Sequence, residues 1–303
     1  MNTEQTSHIL IANSYGRADV LSIQEMNLAP VPKDHARILV KAAGINPIDA
    51  RRMSGEFKHA GLPQTFGTEF AGEIIALGST SEKFHISDAV LGSGGNYTHA
   101  TLIDVPLVNL IKKPEELSWE VAGSIAGVAQ TAMTILDELG PIQTLLIHGA
   151  SGAVGAITAQ IALKRGIQVI GTAAEKNVDY VKSLGLIGLA YGPELTKRIQ
   201  EVFPYPIDAS VDMSGSEEAT QTSLAVIKPD GIISSIAGKP STSARVIPIW
   251  VKRNPSNLQY VVDGIASNQF SWKIDSVFPF DQAKQAYQKV LEGKPNGKVV
   301  LTF

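Results

Sequence analysis

The chain contains no cysteine. That excludes disulfides and every thiolate metal site. Aromatic residues are scarce, at 6%, too few for a platform on which single-stranded nucleic acid would stack. A basic excess is missing as well: 26 Lys and Arg stand against 29 Asp and Glu, a net charge of −3. No broad positive field therefore draws nucleic acid or an anionic membrane surface. Long apolar runs are also absent. The most apolar stretch, residues 121–129, is short and rich in Ala and Gly, far below the ~20 residues of a membrane span. The opening MNTEQTSHILIANS has no basic patch followed by an apolar run, so it does not read as a signal peptide. There is no fixed-period repeat and no low-complexity segment. The expectation is a soluble, cytoplasmic protein with no nucleic-acid partner and no membrane insertion.

What is present is a chain of 303 residues, 44% hydrophobic, long enough for two domains with separate cores. The first third carries short β-branched or alternating runs at 9–12, 37–43, 70–77, 89–91 and 97–103, punctuated by Gly, Pro, Ser and Asp. They predict an irregular β-rich domain. Ser118, followed by Glu120, opens a helical run toward Leu139 that Gly140-Pro141 stops. Beyond it the pattern becomes regular. Strands at 145–147, 168–171, 209–212 and 232–236 alternate with helices at 154–164, 178–184 and 217–227. Such alternation implies a doubly wound parallel sheet with right-handed crossovers. The tail carries a helix at 281–291 and a strand at 298–302, either more sheet or a return to the first domain.

The most informative segment is LLIHGASGAVG, residues 145–155. An apolar strand enters a small-residue turn and a helix follows, the context a dinucleotide-binding turn requires. Ala150, Ser151, Gly152, Ala153, Val154 and Gly155 are the candidate phosphate contacts. Gly152 would admit a pyrophosphate close to the backbone, and Gly155 would let the helix pack against the strand. The helix amides and dipole favour an anion there. Ala150 replaces the first glycine of GxGxxG, and a tight turn that merely needs small residues is the competing explanation. The second strand ends Gly171-Thr172-Ala173-Ala174 without a carboxylate, and Glu175-Lys176 follow. An acidic residue there would bind the ribose hydroxyl of NAD. Its absence, with Lys176 able to neutralise a 2′-phosphate, favours NADPH. Glu175 is the objection, and Lys176 fits a solvated helix-start lysine equally well.

At these residues the chain resembles the medium-chain dehydrogenase/reductase superfamily, in its zinc-independent quinone oxidoreductase branch. The resemblance runs through AAGINPIDARRMSG, LPQTFGTEFAGEIIALG, SDAVLG, QTAMTIL, HGASGAVG, SIAGKP, VFPFDQAKQAYQKV and GKVVLTF, in that order. It implies a GroES-like catalytic domain, residues 1–116 with the returning tail 259–303, and a Rossmann NADPH-binding domain, 117–258. Nicotinamide and substrate would lie in the cleft between them. A homodimer joined through Rossmann edge strands is a further family expectation. Zinc-dependent relatives carry a cysteine and a His-Glu pair where this chain has Asn46 and Thr68-Glu69, and the cysteine-rich zinc loop is missing. No catalytic zinc of that type is expected. The family's usual serine at the second strand's end is Ala174. Tyr191 matches a tyrosine near the NADPH phosphate or adenosine, with a packed aromatic as the alternative. His148, at a strand end, is read as structural.

Hydride transfer from nicotinamide to an electron-poor acceptor is the chemistry implied; the cofactor carries the reaction and the protein orients the partners. Asn46 is the candidate at the reacting centre. Its amide can donate to a carbonyl oxygen that gains charge and can fix the nicotinamide face; an Asn-Pro turn residue is the alternative. Asp49 fits either a loop anchor or a surface pair with Arg51. Thr131 resembles a threonine that touches the cofactor in relatives. Ile236, Ala237 and Gly238 end a strand where backbone groups would meet the carboxamide. The small-molecule substrate is read as a quinone, with an enone, alkenal or enoyl thioester as alternative. An NADPH-binding sensor with little catalysis is the third reading, since no residue is a compelling general acid.

Overall fold

The structure is a computed structural model that describes residues 5–58, 61–94, 97–293 and 295–303. The first four residues of the amino-terminal stretch thus lie outside the described residues. The chain divides into two units, residues up to Gly127 together with Pro255–Phe303, and Val128–Asn254.

The first unit begins with β1 (Gln5–Ala12), β2 (Leu21–Leu28), β3 (His35–Ile45), α1 (Pro47–Ser54), β4 (Gln64–Thr65), β5 (Glu69–Leu77), β6 (Ala89–Ser93), β7 (Leu102–Pro106), β8 (Leu110–Lys112) and the short α2 (Trp119–Ala122). α1 forms because Pro47 suits the first helical position and the Asp49 carboxylate accepts from the Asn46 amide at 2.9 Å. Gly55, at φ 83, ends it in the left-handed conformation. Two expectations are corrected here. The strand expected at 97–103 is displaced to β7. Residues 98 and 99 turn their side chains inward, Thr98 Oγ1 donating to the Glu69 carbonyl at 2.9 Å and His99 lying 3.1 Å from the Gly44 carbonyl, so they form no continuous ladder. The single helix expected from 118 to 139 is two, α2 and α3 (Ala126–Leu139). Ser118 does cap the first, accepting from the Val121 amide at 3.3 Å. Between the two, the Gly123 carbonyl accepts from the Gly44 amide at 2.8 Å, and Trp272 Nε1 donates to Ser124 Oγ at 3.1 Å. These contacts divert the chain from helical continuity.

The second unit contains most of α3, then β9 (Thr144–His148), α4 (Ala153–Lys164), β10 (Gln168–Ala173), α5 (Val178–Ser183), β11 (Ile187–Ala190), α6 (Leu195–Val202), β12 (Ile207–Asp212), α7 (Glu217–Val226), β13 (Ile227–Ser235) and β14 (Val246–Pro248). The strands pair in parallel in the order β11-β10-β9-β12-β13-β14. This is the doubly wound Rossmann order, whose ligand crevice lies at the carboxyl ends of the strands where the order reverses. The reversal falls between β9 and β12. Leu146, Ile170, Ile199, Ile207 and Ile233 are buried together on one face of the sheet, as the apolar runs of a two-sided parallel sheet demand.

The tail supplies α8 (Pro255–Ala266), β15 (Ile274–Pro279), α9 (Ala283–Leu291) and β16 (Lys298–Thr302). β16 pairs antiparallel with β3, Val299 opposite Ile45 and Thr302 opposite Ala42. The tail therefore returns to the first unit, extending its sheet to β15-β16-β3-β5-β6-β8, with β7 also pairing β3. Where the sequence placed boundaries at 116/117 and 258/259, the contacts divide the chain at 127/128 and 254/255. α2 packs on β3 and β5, and α8 packs on β8, which assigns both helices wholly to the first unit.

Tyr287 of α9, fully buried, reaches His99 Nδ1 at 2.8 Å. Since His99 Nε2 faces the Gly44 carbonyl, the ring takes the Nε2–H tautomer and the tyrosine hydroxyl donates to Nδ1. Burial holds His99 below the usual histidine range, so it stays neutral. Tyr287→Phe is expected to lower unfolding stability by about 1–3 kcal/mol, the cost of a buried acceptor left unpaired. Urea denaturation measures this, and an unchanged midpoint would deny the pair any anchoring role.

Candidate active site

The turn between β9 and α4 is tied to the end of β10. The Gly149 and Ala150 amides donate to the Thr172 carbonyl at 3.1 and 2.9 Å. Beneath it lies the buried His148 ring, with Ser223 Oγ 3.1 Å from Nε2 and Thr172 Oγ1 3.3 Å from Nδ1. Burial, opposed by the charge of Asp212, pushes His148 down to about 4. It is a neutral strut, as its reading as structural supposed. A Cβ on Gly155 would lie 2.5 Å from the Gly149 carbonyl oxygen and 2.8 Å from Ala150 Cα. The close approach of helix to turn therefore depends on glycine at 155. Gly152 differs. It is the exposed N-cap of α4 and has no side chain with which to cap it, and among the described residues a Cβ there would meet only the Gly149 carbonyl oxygen, at 3.4 Å. Among the described residues the space where that Cβ would stand, beside the first turn of a 12-residue helix, is therefore largely open. That cradle fits a dinucleotide pyrophosphate.

Around this turn the candidate residues fall into two groups. Ser151, Gly152, Ala153, Val154, Ala174, Lys176 and Tyr191 are at least partly accessible. Tyr191 is 56% exposed, so it is not the packed aromatic that was its alternative. Ala150, Gly155, Thr172 and Ala173 are buried and shape the turn from behind. Glu175 is exposed beside Lys176. At the end of β13 the Ile236 amide donates to the Asp212 carbonyl at 3.0 Å and the Ala237 amide to Ser235 Oγ at 3.1 Å. Any contact with a carboxamide from Ile236, Ala237 or Gly238 must use groups other than those two amides. Thr131 lies half-buried in α3.

In the first unit Asn46 is the half-buried N-cap of α1. Its carboxamide is held at both ends. Nδ2 donates to Glu69 Oε1 at 2.9 Å, with Thr68 Oγ1 at 3.4 Å, and Oδ1 accepts from Lys298 Nζ at 2.7 Å. Lys298 also pairs with Glu69 Oε1 at 2.6 Å, with 4% of the lysine and none of the glutamate side chain exposed. The other carboxylate oxygen of Glu69 accepts from the Gly127 amide at 2.6 Å, in the first turn of α3, where a helix favours negative charge. A Cβ on Gly44 would lie 2.5 Å from Glu69 Oε1, so glycine there makes room for the carboxylate. Asp49 is buried, holding the Asn46 and Gly67 amides. It anchors the loop. The alternative pairing with Arg51 is corrected: Arg51 meets Glu56 at 3.0 Å.

Residues 32–136 match the alcohol dehydrogenase GroES-like domain and residues 190–301 the zinc-binding dehydrogenase domain. The chain is 26% identical to a chloroplastic quinone-oxidoreductase homolog of Spinacia oleracea, across 97% of this chain and 98% of that one. It is 25% identical to the chloroplastic NADPH-dependent alkenal/one oxidoreductase of Arabidopsis thaliana, across 96% of this chain and 78% of that one. The quinone oxidoreductase structure from Coxiella burnetii superposes with a TM-score of 0.88 at 26% identity, covering 99% of this chain and all of that one. The chain is a quinone-oxidoreductase-like member of the medium-chain dehydrogenase/reductase superfamily. It is an oxidoreductase with a GroES-like domain and a Rossmann domain, of a family that works with a nicotinamide cofactor.

The zinc-binding name of the second domain calls for a test of the donors. Both oxygens of Glu69 are engaged by Asn46, Lys298 and the Gly127 amide. Among the described residues no group of three or more His, Cys, Asp or Glu is placed to hold a metal ion. The site already contains a cation, the Lys298 ammonium, and its donors do not fit zinc. Sequence reasoning picks out Asn46 but reads Lys298 only as the start of the closing strand. The lysine stands 252 positions from the asparagine, and no local pattern links them.

Proposed function

We propose that this protein transfers hydride from NADPH to a quinone or a related electron-poor carbonyl compound, without zinc. The observation that carries the reading is the uncapped α4 N-terminus with open space beside Gly152, a ready site for a dinucleotide pyrophosphate. Ser151, Gly152, Ala153 and Val154 would line it. Preference for NADPH rests on the absence of a carboxylate at the end of β10 and on exposed Lys176 and Tyr191. The Arabidopsis relative, named for NADPH, agrees with it. The zinc-free reading rests on the Lys298 ammonium beside Glu69 and Asn46. When bound, the nicotinamide would supply the hydride. Asn46 would orient the reacting partners through its amide, with Thr131 and residues 236–238 as further contacts.

A second reading, reduction of an alkenal or enone by the same cofactor, is supported by the name of that same relative. A homodimer is part of the proposal. β14 is an edge of the parallel sheet, and Ile247, Trp250 and Val251 on and after it are exposed, an apolar margin suited to pairing with a second copy. The proposed location is cytoplasmic; among the described residues no helix is long and apolar enough to cross a membrane.

The test is titration of the protein with NADPH and NADH, followed by nicotinamide fluorescence, then addition of a benzoquinone or an enone. Tighter binding of NADPH and acceptor-dependent oxidation are expected, and the faster acceptor identifies the substrate class. Binding without oxidation would replace the reductase with the sensor reading. No binding of either nucleotide would remove the cofactor assignment.

A further inference from the structure

We propose that Lys298 and Glu69 are positioning residues that lock the carboxamide of Asn46 in one orientation for hydride transfer; this rests on the reading of Asn46 given above. A carboxamide has two ends of similar shape, and only its hydrogen-bond partners decide which way it faces. Here the partners are of opposite charge. Oδ1 accepts from the Lys298 ammonium at 2.7 Å, and Nδ2 donates to the Glu69 carboxylate at 2.9 Å. A flipped Asn46 would turn its NH2 toward an ammonium and its oxygen toward a carboxylate. Both contacts would be repulsive, so one orientation is selected twice.

The charges that make the selection are themselves fixed. Glu69 is held by the Gly127 amide at 2.6 Å and by Lys298 at 2.6 Å. Lys298 extends from the β16 strand, which is paired register for register with β3, the strand that runs into Asn46. A buried ion pair adds little stability compared with apolar residues of the same volume. What it supplies is direction. Glu69 and Lys298 are buried, whereas Asn46 is half-buried, so the asparagine alone has surface to offer a ligand. Nδ2 carries two hydrogens. One is committed to Glu69, and for the second the further acceptor among the described residues is Thr68 Oγ1 at 3.4 Å, a contact at the weak limit. That second hydrogen is the one oriented for an acceptor or carboxamide oxygen.

Three variants of the full-length protein test this with NADPH and a benzoquinone, reading kcat, the KM for NADPH and the melting temperature. Asn46→Ala tests the reading itself and is expected to lower kcat about a hundredfold. Glu69→Asp keeps the charge, but the shorter side chain does not reach both the Gly127 amide and Asn46 Nδ2. The double variant Glu69→Gln with Lys298→Met removes both charges together and leaves none uncompensated. Each network variant is expected to lower kcat about ten- to a hundredfold with the KM for NADPH within about twofold, because the phosphate turn is unaltered. Should the double variant not fold, Glu69→Asp alone decides. If Asn46→Ala loses activity while the network variants that fold turn over at the wild-type rate, the positioning inference is overturned and the reading of Asn46 stands. It is equally overturned if kcat, KM and melting temperature all deteriorate together, the mark of a merely structural pair. If Asn46→Ala is fully active, the reading fails and the inference falls with it.

Discussion

On the proposed function, Gly155→Val is expected to abolish tight NADPH binding. The new Cβ would stand 2.5 Å from the Gly149 carbonyl oxygen and 2.8 Å from Ala150 Cα. Both are backbone atoms of the turn, and that turn is pinned through Gly149 and Ala150 to the Thr172 carbonyl. Side-chain adjustment therefore gives no relief, and the turn or the start of α4 must move. The amides that would face the pyrophosphate then lose their alignment. Charge-assisted hydrogen bonds are worth about 1.5–3 kcal/mol each, so the loss of two predicts an affinity at least ~100-fold weaker. Fluorescence titration measures the affinity, and circular dichroism checks the fold. Gly152→Ala is the control that separates packing from ligand binding. Its Cβ would meet only one atom of the described residues, at 3.4 Å, so the melting temperature should hold while cofactor binding weakens. Unchanged NADPH affinity in Gly152→Ala would detach the pyrophosphate from this turn.

Acid is expected to destabilise the wild-type protein well before its carboxylates are protonated. His148 has a folded-state pKa near 4 against an ordinary 6.5, chiefly because it is buried, with Asp212 opposing. Above pH 6.5 the ring is neutral in both folded and unfolded chains and stability does not depend on it. Between 6.5 and 4 the unfolded chain takes up a proton that the folded chain refuses, so stability falls as the pH falls. At about 1.4 kcal/mol per pH unit, the loss over that window is about 3 kcal/mol. His99 is depressed in the same direction, by burial first, and adds to the slope. Asp208 extends the effect to lower pH. Its burial is outweighed by hydrogen bonds from Lys228, the Gln143 and Thr144 amides and the Thr144 hydroxyl, which bring it down to about 2. The stability it contributes is lost as the pH drops from 3.8 through 2. Urea midpoints from pH 7 to pH 4 measure the first window. His148→Gln, which keeps polar contacts to Ser223 and Thr172, is expected to flatten the curve to the part owed to His99. An unaltered slope in that variant would take His148 out of the acid response.

Much of this protein was legible along the chain, and the misses have physical reasons. The alternation that begins at β9 was read because apolar strands buried on both faces leave compact runs such as LLIH. β2, LSIQEMNL, was not read. Most of its residues are exposed at the outer strand of a hairpin, so burial imposes no alternation on it. α8 was also missed, although Leu258, Val261, Val262 and Ile265 line one buried stripe at helical spacing behind Pro255. That signal was present in the sequence. β14, only three residues long, and β15 are edge strands, whose pairing depends on a neighbour. The long helix expected across Gly123 failed for a different reason. Helical periodicity continues through that point, and what interrupts it is a hydrogen bond from Gly44, nearly eighty positions earlier.

The sequence by itself determined the GroES-like plus Rossmann plan and the strand, tight turn and helix at residues 145–164, because each rests on neighbours along the chain. Asn46 was singled out through the family resemblance, and its role is part of the proposal. Tertiary structure alone decided what surrounds Asn46. Glu69 comes from β5 and Lys298 from a strand near the carboxyl terminus, paired across 229 positions. No propensity or spacing rule reaches that far. The pairing of β16 with β3 brings the lysine back beside the asparagine, and burial in the first unit then turns two ordinary charged residues into the partners that fix its direction.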